Sequence, residues 1–121
     1  MSLRVGIDLV QISRIAGSLD TFGERFLRRV FTDREIAYAH AAPAHAAARL
    51  AARFAAKEAA KKALALDGVS WRDLEVMREA SGACTLALHG AARAAAGEAT
   101  LALSMSHEGD FATAVVIASA P

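Results

Sequence analysis

A single cysteine, Cys84, occurs in the chain, so an internal disulfide and a cysteine-built zinc cluster are both excluded. A reduced, cytoplasmic setting is the expectation that follows. Aromatic residues make up only 6% of the sequence although 55% of it is hydrophobic. The core must therefore be built from small side chains, and a second subunit is a natural way to complete it. Charge of one sign is also missing: with a net charge of +1, the chain lacks the broadly basic surface of a protein that tracks nucleic acid. No long apolar run is present, because the alanine-rich stretch is interrupted by Arg49, Arg53 and Lys57. Residues 1–10 show no charged start followed by a long apolar stretch, so neither a membrane span nor a signal peptide is read. At 121 residues one domain spanning 1–121 is expected.

Alanine fills the space that larger residues leave. Its densest stretch, RLAARFAAKEAAKKAL from Arg49 to Leu64, predicts a helix on which Arg53, Lys57 and Lys61 share one stripe and Phe54, Glu58 and Lys62 the next. Glu58 followed by Lys62 is the favourable order for an exposed pair worth about 0.3–0.5 kcal/mol, and that plain reading competes with a functional one. The surrounding Ala55, Ala56, Ala59, Ala60 and Ala63 make a helix without bulk, suited to close approach by other backbone. A carboxylate flanked by cations on such a helix suits a phosphate with a divalent metal.

The rest of the chain reads as α+β: a small, mostly antiparallel sheet packed against one long helix, with short N-terminal helices. LRVGIDLV, Leu3 to Val10, predicts a buried strand with Asp8 near its end. Gln11 to Leu19 predicts a short helix with Ile12 and Ile15 inward and Arg14 outward. Thr21 with Glu24 and Thr32 with Glu35 both have the capping-box spacing, which predicts a helix start at each threonine. The HAAPAH run, His40 to His45, breaks the chain at Pro43 before the long helix, expected from about Ala44 to Leu66. Its two histidines lack the third ligand that a zinc set requires. Asp67 and Gly68 are expected to end that helix, with Gly68 as the left-handed cap. Strands are predicted over Trp71 to Arg78 and Cys84 to Leu88, then a helix over His89 to Glu98 closed by Gly97. LALSMS and FATAVVIA predict an antiparallel pair of central strands turning near Gly109 and Asp110.

Taken as residues alone, Asp8 at a strand end and Glu58 on the helix are two carboxylates that a helix packed across the sheet would bring together. Magnesium keeps several waters and is commonly held by one or two carboxylates plus substrate phosphate. Basic residues fall into two clusters, Arg25, Arg28 and Arg29, and Arg49, Arg53, Lys57, Lys61 and Lys62; both suit acidic partners, the second a compact phosphate.

GIDLVQISRI, RFAAKEAAKKAL, WRDLEV and LSMSHEGDFATAVVIA occur in this order along the chain. Together they resemble the holo-acyl-carrier-protein synthase type of 4'-phosphopantetheinyl transferase, over essentially the whole sequence. The resemblance implies transfer of the phosphopantetheine arm of coenzyme A to a serine of an apo acyl carrier protein, releasing adenosine 3',5'-bisphosphate, in fatty acid or polyketide synthesis. A carrier-protein- or nucleotide-binding module without turnover is the alternative on the same fold.

By that resemblance Asp8 and Glu58 hold magnesium on the coenzyme A pyrophosphate, and Lys62 contacts the same phosphates, whereas Lys61 is an extra, solvated lysine. Arg53 and Lys57 are candidates for the 3'-phosphate or the pyrophosphate. His107 is implied as a ligand contact and catalytic candidate, and Glu58, Glu108 and His107 stand as alternatives for handling the serine proton. Members of the family assemble as trimers with sites between subunits, which implies a homotrimer here. Arg14, Arg25 and Arg28 would face the acidic carrier, with Phe22 and Phe26 as its apolar centre or as core; Glu24 is out of place among those cations.

Overall fold

The computed structural model describes residues 2–121. Strand β1 (Ser2–Gln11) runs into helix α1 (Ile12–Phe22), followed by α2 (Glu24–Val30), α3 (Asp33–His40), a 3-10 turn at Pro43–His45 and the long α4 (Ala46–Leu64). A second 3-10 turn at Trp71–Asp73 leads into β2 (Leu74–Arg78), β3 (Cys84–Leu88), α5 (Gly90–Ala96), β4 (Thr100–Glu108) and β5 (Phe111–Ala120). The strands form two antiparallel sheets, one ordered β1-β5-β4 and one a β2-β3 pair. The α+β class and the packing of one long helix against an antiparallel sheet agree with the sequence, which did not divide the strands between two sheets.

Alanine matters most where α4 crosses β1 and β5. Ala55, Ala56, Ala59 and Ala60 are fully buried against Ala112, Ala114, Val116 and Ala118 of β5. Small residues on both sides let helix and sheet approach closely. At Gly6 of β1 the approach reaches its limit: a Cβ there would lie 2.0 Å from the Ala59 carbonyl oxygen and 2.8 Å from the Ala63 nitrogen. Side chains alternate along a strand, so Asp8 faces the same side as Gly6, toward α4.

That alternation also corrects the expectation of a buried first strand. Leu3, Val5, Ile7 and Leu9 point away from α4 and are 63–67% exposed. With Ile117 of the neighbouring strand, paired to Val5, they form an apolar face on the outside of the sheet. Of the LALSMS and FATAVVIA pair only β5 is central; β4 lies at the edge.

Helix ends follow the local chemistry in one case of two. Thr32 and Glu35 form the complete capping box of α3. Thr21 lies instead in the last turn of α1, and α2 starts after Gly23, whose φ of 54° breaks the helix between them. The left-handed residue ending α4 is Ala65, φ 53°, rather than Gly68, and the strand after it begins only at Leu74 because Trp71–Asp73 forms a turn.

Candidate active site

Four elements converge at the end of β1. Asp8, Gln11, Arg14, Ile15, Phe54 and Glu58 line one cavity of about 370 Å³. β1 supplies Asp8, α1 Arg14, α2 Phe26 and α4 Glu58. Lys62 lies at its edge, its Nζ donating to the Ile7 carbonyl at 2.9 Å and to Asp8 Oδ1 at 3.3 Å. Asp8 and Glu58, 50 positions apart in sequence, therefore reach one space because α4 lies flat on β1. The entry of α1 into the cavity is fixed from the far end of the chain. Gln11 gives that helix no side-chain cap, and Asp110 in the β4–β5 turn takes the role: its carboxylate accepts from the Ser13 backbone N–H at 3.0 Å and the Ser13 hydroxyl at 2.6 Å. These bonds hold the Asp110 carboxyl below its ordinary range.

Among the described residues no three His, Cys, Asp or Glu side chains converge on one point, so no full protein cage for a metal exists there. Two carboxylates opening onto a polar cavity fit a hydrated hard cation that takes its remaining ligands from water and phosphate oxygens.

The structure corrects the placement of Lys57. Its ammonium donates to Glu35 Oε1 at 2.7 Å, to the Leu74 carbonyl at 2.6 Å and to the Trp71 carbonyl at 3.0 Å, and the side chain is completely buried. All three donors are spent on protein, which leaves none for a phosphate. Burial pulls the Lys57 ammonium below the usual lysine range against the opposing pull of Glu35. Glu35 completes the junction by accepting from the Val76 and Thr32 backbone N–H groups at 2.9 and 2.8 Å.

Arg53, 4% exposed, lines a second cavity of about 440 Å³ with Tyr38, His45, Arg49, Arg78, Cys84 and His107. The guanidinium groups of Arg49, Arg53 and Arg78 gather over the Tyr38 ring at 4.1, 4.4 and 5.5 Å from its centre. Arg53 Nε is buried without a hydrogen-bond partner. Burial lowers the Arg53 pKa, so an anion entering this cavity would meet a poorly solvated cation. His107 is exposed at its rim and does not line the Asp8–Glu58 cavity of its own chain.

A third, more apolar depression of about 550 Å³ is lined by Phe22, Arg25, Phe26, Arg29, Phe54 and Trp71. Phe22 is 60% exposed there. Arg28, expected beside Arg25, instead pairs with Glu24 at 2.9 Å and Asp33 at 3.6 Å; Arg29 takes the position on the groove. The out-of-place Glu24 is thus Arg28's partner one helical turn away. Lys61, expected to be solvated, stacks over Trp71 at 4.1 Å from the ring centre. Sequence reasoning passed over Trp71 as a strand residue. Its one signal was rarity, as the only tryptophan in the chain.

Residues 4–116 match the model of the 4'-phosphopantetheinyl transferase superfamily. A holo-[acyl-carrier-protein] synthase from Koribacter versatilis is 47% identical over 97% of this chain and 98% of its own length. One from Gloeobacter violaceus is 46% identical over 93% of this chain and 89% of its own length. Among solved structures, an ACPS–CoA complex from Chronobacterium ammoniagenes superposes with a TM-score of 0.88 at 33% identity, covering 98% of this chain and 97% of the other.

Proposed function

The chain belongs to the 4'-phosphopantetheinyl transferase superfamily, and from that membership we propose that it acts as a magnesium-dependent holo-acyl-carrier-protein synthase, as one transferase domain over residues 1–121. It moves the 4'-phosphopantetheine arm of coenzyme A onto a serine of an apo acyl carrier protein. The serine oxygen bonds to the β-phosphorus, the bridging P–O bond breaks, and adenosine 3',5'-bisphosphate leaves. The observation that carries the residue assignment is the convergence of Asp8, Glu58 and Lys62 where α4 crosses β1.

Asp8 and Glu58 would hold the magnesium ion, which supplies charge neutralisation on the pyrophosphate when bound. Lys62, 57% exposed at its side chain, keeps a donor for a phosphate oxygen while the Ile7 carbonyl and Asp8 fix its direction. Arg53 suits the 3'-phosphate because its guanidinium lines the second cavity beside those of Arg49 and Arg78. Glu58, His107 and Glu108 are the candidates to take the serine proton, and pH–rate profiles of the three single variants separate them.

Two observations support a homotrimer with sites between subunits. The apolar outer face of β1 has no cover among the described residues. His107 and Arg53 also lie on a different cavity from Asp8 and Glu58, so a neighbouring copy is what would bring both sets to one coenzyme A. The groove of Phe22, Arg25, Phe26 and Arg29, continuous through Phe26 and Phe54 with the Asp8–Glu58 cavity, suits an acidic carrier helix, with Arg14 at the boundary. Exposed cations of this kind raise the association rate and set orientation. A cytoplasmic role in fatty acid synthesis fits the lone cysteine; no described helix is long and apolar enough to cross a membrane.

The test is incubation with coenzyme A, magnesium and an apo carrier protein, followed by mass spectrometry for the added phosphopantetheine arm. Failure with several unrelated carriers would overturn the activity. Native mass spectrometry reads the assembly, and a monomer at micromolar concentration would overturn the trimer.

A further inference from the structure

Trp71 touches four residues of α4. Its indole N–H donates to Glu58 Oε1 at 3.1 Å, its ring carries the Lys61 ammonium at 4.1 Å, and Phe54 packs on it with ring centres 6.0 Å apart. Its carbonyl accepts from Lys57 at 3.0 Å. The 3-10 turn that presents the ring is itself fastened. Ser70 caps it by accepting from the Arg72 backbone N–H at 3.2 Å, and the Arg72 guanidinium reaches the Arg28 and Phe31 carbonyls at 2.9 and 2.7 Å. A rigid turn thus holds an indole donor against one oxygen of a carboxylate that accepts no other protein hydrogen bond among the described residues.

We infer that Trp71 is the positioning residue for Glu58: its N–H takes Oε1 and turns the carboxylate so that the second oxygen faces the cavity shared with Asp8. The inference rests on the reading of Glu58 as a metal ligand. A free glutamate on an alanine helix has three rotatable bonds before its charge, and ordering them on metal binding costs free energy that a prearranged carboxylate has already given up. A hydrogen-bonded neighbour that orients a ligating carboxylate commonly changes metal affinity or activity by about 10- to 100-fold when removed. Phenylalanine at position 71 would keep the apolar ring beside Phe54 and Lys61 and remove only the donor.

The experiment measures magnesium binding by calorimetry on the full chain with saturating coenzyme A, for the wild type, Trp71→Phe and Glu58→Gln, alongside transfer kinetics. Trp71→Phe is expected to weaken magnesium binding by about tenfold or more and to lower kcat. A lost magnesium affinity in Glu58→Gln together with an unchanged one in Trp71→Phe overturns the positioning role and leaves the metal reading standing. Unchanged affinity in Glu58→Gln overturns both. Because Trp71 is the only tryptophan, its indole N–H gives one resonance in a nitrogen-15 correlation spectrum, which serves if Trp71→Phe does not fold. That resonance should shift in Glu58→Ala and move on addition of magnesium to the wild type; if it stays in place in either case, the inference fails.

Discussion

Lys57 and Lys62 leave the same helix little more than a turn apart and each meets a carboxylate, yet their surroundings are opposite. Lys57 lies 2.7 Å from Glu35 with both side chains at 0% exposure; Lys62 lies 3.3 Å from Asp8 with exposures of 57% and 19%. The first pair is saturated: every ammonium proton and both Glu35 oxygens are taken by protein. The second keeps one ammonium proton and carboxylate lone pairs unspent. Charge alone therefore does not mark a site, whereas charge left chemically unfinished does.

Lys57→Ala separates the two regions most sharply. It strands Glu35 as an uncompensated buried charge, and losing one partner of such a pair costs about 3–5 kcal/mol, a large share of a domain's stability. Urea unfolding should show the loss. Next, Glu58→Gln and Asp8→Asn should each reduce phosphopantetheine transfer by about 100-fold, the scale on which one aimed electrostatic contact to a reacting group acts, with a urea midpoint close to wild type. Normal activity in either variant would return that carboxylate to a structural role. Lys62→Ala should lower transfer by about tenfold, or 1.4 kcal/mol, and more than Lys61→Ala does; equal losses would put Lys61 at the phosphates as well.

The smallest expected effect is on acid stability. Burial pushes the Glu75 carboxyl up, but hydrogen bonds from Thr32 and His89 and the charge of Arg34 outweigh it and hold it below the ordinary glutamate range. A carboxylate depressed in the folded state stabilises the fold above its unfolded pKa, and that contribution is lost as pH falls through the folded value. Urea midpoints measured from pH 6 downward should decline less steeply below pH 4.5 in Glu75→Gln than in the wild type.

The saturated region was the less legible of the two in the sequence. Helical spacing groups Arg53, Lys57 and Lys61 on a stripe but says nothing about what covers it, and Lys57's partner stands 22 residues upstream. Thr32 and Glu35 read correctly as a cap because both halves of that motif are local. Thr21 and Glu24 have the same spacing and fail because Gly23, between them, takes a φ of 54°. Asp8 and Glu58 could be paired from a distance because strand-on-helix packing is a coarse constraint that alanine makes predictable. Arg29 and Arg28 are adjacent on a helix, and only the position of Asp33 and Glu24 decides which one faces the groove. The exposed face of β1 reads as core in a sequence because Leu3, Val5, Ile7 and Leu9 have the composition of an interior, and composition does not say what covers a face.

Gly6 sets how freely this scaffold can vary. With the Ala59 carbonyl 2.0 Å from where a Cβ would stand, the strand and the helix meet backbone to backbone, and no repacking of side chains can absorb a change there. The spacing between the residues that flank the contact, Asp8 on one side and Glu58 on the other, is thereby inherited from main-chain geometry. A randomised library should therefore return glycine at position 6 while tolerating diversity in the Phe22–Arg29 groove, which lies away from that contact.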